Sequence, residues 1–189
     1  ISLSGGADST ACAALVTLAI ERLVAEIGAE AARKRLRTEA ATTEGMVGEL
    51  LTCVYQATAN SGETTRSAAE GVARAIGATY HELDVEPMVQ SYVQTIEQAI
   101  GRELTWQTDD IALQNIQARS RAPSVWMLAN IRRALLVATS NRSEAAVGYA
   151  TMDGDTSGGI SPIAGIDKAF LRRWLQWMEA EGPDGCEAI

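Results

Sequence analysis

Six residues near the start of the chain, Ser4-Gly5-Gly6-Ala7-Asp8-Ser9, set two glycines, two hydroxyls and a carboxylate between an apolar run and an Ala-rich stretch. Gly5 and Gly6 let the chain turn with backbone N–H groups pointing inward. A helix that follows adds the positive end of its dipole, so the segment suits phosphate oxygens. Ser4 and Ser9 offer hydroxyl donors to the same anion, and Asp8 can hold a magnesium ion that offsets the phosphate charge. A pyrophosphate group fits this combination. The segment is not GxxxxGK[ST], since no lysine follows the glycines, nor is it GxGxxG. Taken alone, the six residues also suit a glycine turn ahead of an N-capped helix.

Short β-rich runs alternate with helical stretches around that loop. Residues 1–3 read as a strand, 10–26 as a helix, 50–55 (LLTCVY) as a second strand and 64–76 as a helix. Residues 79–83 form a third strand, followed by a helix over 87–100 opened by Asp84 and Pro87. Residues 113–130 are helical with a break near Pro123, and 134–139 (ALLVAT) read as a buried strand with Ser140, Asn141 and Ser143 at its carboxyl end. Residues 27–48, rich in Ala, Glu and Arg, read as one solvated helix inserted before the second strand. Residues 152–159 (MDGDTSGG) form a loop, and 168–178 a closing helix whose Trp174 and Trp177 share a packing face. The alternation predicts an α/β fold, a doubly wound parallel sheet with helices on both faces. Such sheets bind ligands outside the carboxyl ends of their strands.

The 189 residues suit one domain, 1–189, with a well-buried core. A composition 47% hydrophobic and 21% charged is that of a globular protein, and no apolar run approaches the roughly 20 residues that cross a bilayer. Net charge is -8, and Lys and Arg form no long block, which argues against a nucleic-acid backbone as main partner. Cys12 and Cys53 lie in apolar stretches and read as buried structural thiols; with Cys186 they make no metal-spaced pair, and a reducing cytoplasm fits. His81 is assigned no role. The chain opens on Ile1 within a strand and carries no signal peptide, so it reads as a piece of a longer protein.

The SGGxDS loop resembles the pyrophosphatase loop of the N-type ATP pyrophosphatases, whose members cleave ATP between its α and β phosphates. The segments 113–121 (LQNIQARSR), 138–148 (ATSNRSEAAVG), 149–159 (YATMDGDTSGG) and 161–168 (SPIAGIDK) are similar, in order and spacing, to NAD synthetase. The resemblance implies an adenine nucleotide alpha-hydrolase-like, Rossmann-like fold. It implies the amidation of deamido-NAD: ATP adenylates the nicotinate carboxylate, ammonia displaces AMP, and pyrophosphate is released. By position, Ser4, Gly5, Gly6, Asp8, Ser9, Thr139 and Lys168 would contact ATP, and Asp8 and Glu144 would hold magnesium. Asp8, Glu144 and Lys168 would carry the chemistry, and Arg119 and Asp155 would contact deamido-NAD. Met152 and Gly159 stand where simpler ammonia-using members carry Lys and Asp. The MDGDTSGG and DKAFLRRWLQW wording looks closer to glutamine-dependent members, which carry a separate glutaminase domain ahead of this one. The resemblance also implies a homodimer, with residues 119–130 as a contact, although Val125, Trp126, Met127 and Leu128 could equally be core. Residues 182–189 read as a mobile end or the start of a lid.

Two other readings stay open. A GMP synthetase-like amidating ligase would share the loop but lack the LQNIQARSR and TSNRSE segments, and a tRNA-thiolating member fits the acidic balance poorly. A nucleotide-binding module without catalysis would have no use for two separated magnesium carboxylates. The reaction asks for positioning and charge neutralisation rather than a protein nucleophile, so the single histidine is no obstacle.

Overall fold

Ala11, Cys12, Ala13 and Ala14 are consecutive and all almost fully buried, so the helix that carries them, α1 (Ala7–Ile27), is enclosed on every side near its start. Small side chains let neighbours approach its backbone closely. The helices packed along α1 are α2 (Ala29–Leu36), α3 (Thr43–Leu50), α4 (Glu63–Ala75) and α9 (Lys168–Ala180). The computed structural model describes residues 1–183.

The sheet pairs β1 (Thr52–Ala57) with β2 (Thr79–Asp84) in parallel, Thr52 opposite Thr79 through Ala57 opposite Asp84. Residues 1–3 lie along the other edge of β1. Ser2 bridges Val54 in parallel, with the Leu3 N–H on the Val54 carbonyl at 2.8 Å and the Val54 N–H on the Ile1 carbonyl at 2.9 Å. Alternate residues of β1 serve opposite faces, as a pleated strand requires. Cys53 and Tyr55 join the main core with Leu3, Ile20, Met46, Ile163 and Leu171. Val54 packs on Val125 and Ala129 of α7 (Ala122–Arg132) and on Leu136. Helices therefore cover both faces, and the doubly wound α/β reading holds.

Between β2 and α7 lie α5 (Glu86–Ile100) and α6 (Asp110–Arg119), and α8 (Arg142–Val147) precedes α9. The break expected near Pro123 falls at Ser120 and Arg121, which separate α6 from α7. Among the described residues no helix is long and apolar enough to cross a membrane.

Three expectations need correction. Residues 27–48 are two helices, not one: Arg37 closes α2 in the left-handed conformation (φ 55°) and Thr42 caps α3 by accepting the Gly45 N–H. The solvated reading holds for α2, whereas Met46 and Val47 of α3 are core. Residues 134–139 do not form a ladder strand. The Ala134 N–H is spent on the Ala129 carbonyl, closing α7 behind Arg133 (φ 52°), and only a bridge from Val137 to Ile160 follows. Leu136 and Ala138 are buried while Leu135 is exposed. The tryptophans part company: Trp174 packs on the core, but Trp177 is largely exposed and donates its indole N–H to Glu181. In α7, Val125 is core and Leu128 packs against it, whereas Trp126 and Met127 face outward. His81 is exposed on β2.

Cys12 and Cys53 are fully buried and free, and burial is the main cause that pushes their thiols up to about 12 and about 11. Cys186 and the rest of the expected C-terminal segment beyond residue 183 lie outside the described residues. Because the thiolate is the reactive form, a Cys186→Ser variant should resist a disulfide-exchange reagent at pH 8 while folded. It should take up label at both remaining cysteines once denatured. Rapid labelling of the native protein would contradict this packing.

Candidate active site

The glycine loop is closed by its own hydroxyls. Ser9, almost fully buried, accepts the Ser4 N–H at 3.2 Å and donates to the Gly6 carbonyl at 3.2 Å. The Ser4 and Ser9 hydroxyls lie 3.1 Å apart, and the Gly6 N–H donates to the Ser4 hydroxyl at 3.3 Å. Gly5 sits at φ 77°, and a Cβ placed there would lie 2.3 Å from the Thr65 carbonyl oxygen. Only glycine fits that approach. Gly6 is the N-cap of α1 without a side-chain cap, so the first-turn amides of this 21-residue helix have no acceptor within the helix and face the loop.

Asp8 stands in that first turn, and two residues distant in sequence meet it. The Lys168 ammonium contacts Asp8 Oδ2 at 2.8 Å and Glu144 Oε1 at 3.2 Å. Asn141 donates its side-chain N–H to Asp8 Oδ1 at 2.9 Å and accepts the Glu144 N–H at 3.0 Å, while its own backbone N–H reaches Glu144 Oε2 at 3.3 Å. Asn141 and Glu144 form a capping box that starts α8. Lys168 opens α9, where Asp167 caps Phe170 and Ser143 accepts the Lys168 N–H at 3.1 Å.

A cation in the first turn of a helix opposes the helix dipole. Lys168 is held there by the two carboxylates. Its hydrogen bond to Asp8, ahead of that to Glu144, raises its pKa above the ordinary lysine value despite partial burial. The group is therefore an ammonium throughout the neutral range. Three helix N-termini and one ammonium converge on two carboxylates and offset their charge.

Beside the loop, a cleft of about 290 Å³ opens at the carboxyl ends of residues 1–3 and β1. Ser4, Tyr55, Ser61, Thr65, Arg121 and Thr139 line it, with Asp155 at its rim accepting the Thr151 N–H at 3.2 Å. Buried Gln56 ties the walls together. It accepts the Ser2 hydroxyl at 2.9 Å and donates to the Arg121 carbonyl and the Ser124 hydroxyl, both at 2.6 Å. Volume and lining suit a mononucleotide whose phosphates run toward the loop.

Of the expected residues, Ser4, Gly5, Gly6, Asp8, Ser9, Glu144 and Lys168 gather at the loop, and Thr139 and Asp155 line the adjoining cleft. Arg119 does not join them. It lies in a separate hollow with Tyr92, Pro123 and Trp126, and donates Nε to the Met152 carbonyl at 3.0 Å. Sequence reasoning passed over Gln56, Ser61, Thr65 and Arg121, and it noted Asn141 only as a polar residue after a strand. The Asn-x-x-Glu spacing of a capping box was a readable sign for Asn141, and the polar turn after β1 marked Ser61 and Thr65 as residues at a strand's carboxyl end.

Gly5→Ala tests the loop. The left-handed backbone alone costs about 1–2 kcal/mol for a residue with a Cβ, and the contact with Thr65 adds to it. Thermal unfolding should show a clear loss of stability, and nucleotide affinity should fall with it; a variant with unchanged melting and binding would rule out the close approach.

Residues 1–181 match the family described as NAD synthase. A solved glutamine-dependent NAD(+) synthetase from Cytophaga hutchinsonii is 48% identical with a TM-score of 0.90, the match covering 96% of this chain and 33% of that one. The glutamine-dependent NAD(+) synthetase of Aquifex aeolicus is 32% identical over 136 residues, 72% of this chain and 23% of the relative. The NH3-dependent NAD synthetase of Campylobacter jejuni, 22% identical, shares the fold with a TM-score of 0.63 over 96% of this chain and 65% of its own. This adenine nucleotide alpha-hydrolase-like fold is thus common to them. The chain spans about a quarter of the length of the curated relatives it matches. The matched range contains the glycine loop, Asn141, Glu144 and Lys168, and the chain belongs to the NAD synthase family.

Proposed function

We propose that this chain is the ATP-using synthetase domain of a longer, glutamine-dependent enzyme that amidates the nicotinate carboxylate of deamido-NAD. The observation that carries this reading is the meeting of Asp8, Glu144 and Lys168 at a glycine loop on a helix N-terminus. Two carboxylates and one ammonium leave a single formal negative charge beside a phosphate cradle. That balance suits one divalent cation. Magnesium is commonly held by one or two carboxylates together with substrate phosphates, so Asp8 and Glu144 fit as its protein ligands. When bound, it supplies charge neutralisation for the polyphosphate.

A carboxylate is a poor acceptor for ammonia, because its carbonyl is deactivated and oxide cannot leave. In the proposed first step a nicotinate oxygen attacks the α-phosphorus of ATP, and the bond from that phosphorus to the bridging oxygen breaks as pyrophosphate departs. The loop amides and Lys168 take up the charge that develops on the leaving group. Ammonia then attacks the acyl carbon, the bond to AMP breaks, and the added nitrogen releases its proton to solvent. The protein acts by holding groups in line rather than by covalent attack.

ATP would lie in the cleft beside Thr139, with its phosphates at Ser4, Gly5, Gly6, Asp8 and Ser9. Since the Ser9 hydroxyl is occupied within the loop, its contribution to phosphate would come through its backbone N–H and through fixing Ser4. Arg119 and Asp155 would meet deamido-NAD from opposite sides of residues 152–157. The carbonyl of Met152 already receives Arg119, which lets the side chain at that position vary. Ammonia would come from glutamine through a separate domain of the intact protein. The outward Trp126 and Met127 of α7 and Tyr92 and Ile96 of α5 support a homo-oligomer, and the two buried thiols fit a cytoplasmic site of action.

Mass-resolved product analysis of the full-length protein with ATP, magnesium, deamido-NAD and either ammonium or glutamine should yield NAD, AMP and pyrophosphate. AMP and pyrophosphate appearing only with another acceptor would keep the loop chemistry and discard the substrate. Absence of ATP cleavage would favour a binding module. In the same assay Glu144→Ala should lower turnover by about 100-fold or more while nucleotide binding persists; unchanged turnover would remove Glu144 from the reaction.

A further inference from the structure

We propose that Asn141 is the positioning residue that holds the two carboxylates at a working separation, on the site reading given above. The four polar groups form a closed ring. Lys168 takes Asp8 Oδ2 and Glu144 Oε1, while Asn141 takes the other oxygen of each, Asp8 Oδ1 through its amide N–H and Glu144 Oε2 through its backbone N–H. Each carboxylate thus has one oxygen turned to the lysine and one to the asparagine.

The two sides of this ring differ in permanence. Lys168 is 38% exposed on a flexible stem, so it can turn toward an incoming polyphosphate. Asn141 is 1% exposed, and its amide is fixed in orientation: the oxygen faces an N–H and the nitrogen faces a carboxylate, neither of which accepts the reverse arrangement. The outward oxygens, Asp8 Oδ2 and Glu144 Oε1, are then free for ligands while Asn141 keeps the inner pair in place.

Capping α8 does not by itself explain asparagine. Serine, threonine or aspartate would accept the Glu144 N–H equally well. What those residues lack is a second group that donates to Asp8. Asparagine supplies an acceptor and a donor from one rigid side chain, which joins the first turn of α8 to the first turn of α1 across the site.

That difference makes the role separable from stability. Asn141→Ser keeps the cap and loses the donor to Asp8, and Asn141→Asp keeps the cap and turns a carboxylate toward Asp8. In the full-length protein, Asn141→Ser should fold cooperatively and keep its KM for ATP within about threefold. Its kcat for ATP cleavage should drop about 10–100-fold, as for residues that orient metal ligands. Manganese binding in the presence of a non-hydrolysable ATP analogue, read by electron paramagnetic resonance, should weaken about tenfold. Asn141→Asp should bind manganese more tightly and still lose kcat. Wild-type kcat and manganese affinity in either folded variant would overturn the proposal, and failure of both to fold would assign Asn141 a purely structural role. If the wild type itself cleaves no ATP, the catalytic reading falls, whereas manganese binding still reports on Asn141.

Discussion

A lysine shared by two carboxylates organises this molecule's functional end. Asp8, Glu144 and Lys168 begin three different helices, and two like charges brought that close would repel without the ammonium between them. The ion pairs are only partly exposed, so solvent screens them less than surface pairs. Their value lies in geometry more than in stability: breaking the ring would free α8 and α9 to turn their first residues away from the glycine loop.

The ring is possible because α1 is so firmly placed. Its Ala-rich start is enclosed by α3, α4 and α9, and Leu3, which leads into the loop, is fully buried. Gly5 lets the loop lie against the α4 backbone, and the Ser4 and Ser9 hydroxyls close it. Packing thus fixes the dipole end of a long helix at the mouth of the sheet, and the polar residues there inherit a rigid frame. On the other face of β1, Gln56 fixes the junction between α6 and α7 and gives the cleft its second wall.

Local chemistry in the chain foretold much of this. The alternation of apolar strands with helical stretches announced the parallel α/β arrangement, because strand and helix periodicities depend on neighbouring residues alone. The glycine loop announced an anion site for the same reason: its turn, its cap and its hydroxyls all lie within six residues. Errors arose where an element's identity depended on distant partners. Residues 134–139 have the composition of a buried strand, yet the closure of α7 consumes the first of their N–H groups. Met46 and Val47 sit in a charged stretch and are core because α1 lies over them.

The sequence by itself determined the class of chemistry, an anion cradle with a carboxylate at a helix start, since those properties are written in contiguous residues. Tertiary structure alone decided that Lys168 stands between Asp8 and Glu144, that Asn141 clamps both from behind, and that Arg119 faces a separate hollow. Contacts across more than a hundred residues have no signature in local propensity. They exist because burial of α1 and the parallel order of the strands bring those helix starts to one edge of the sheet.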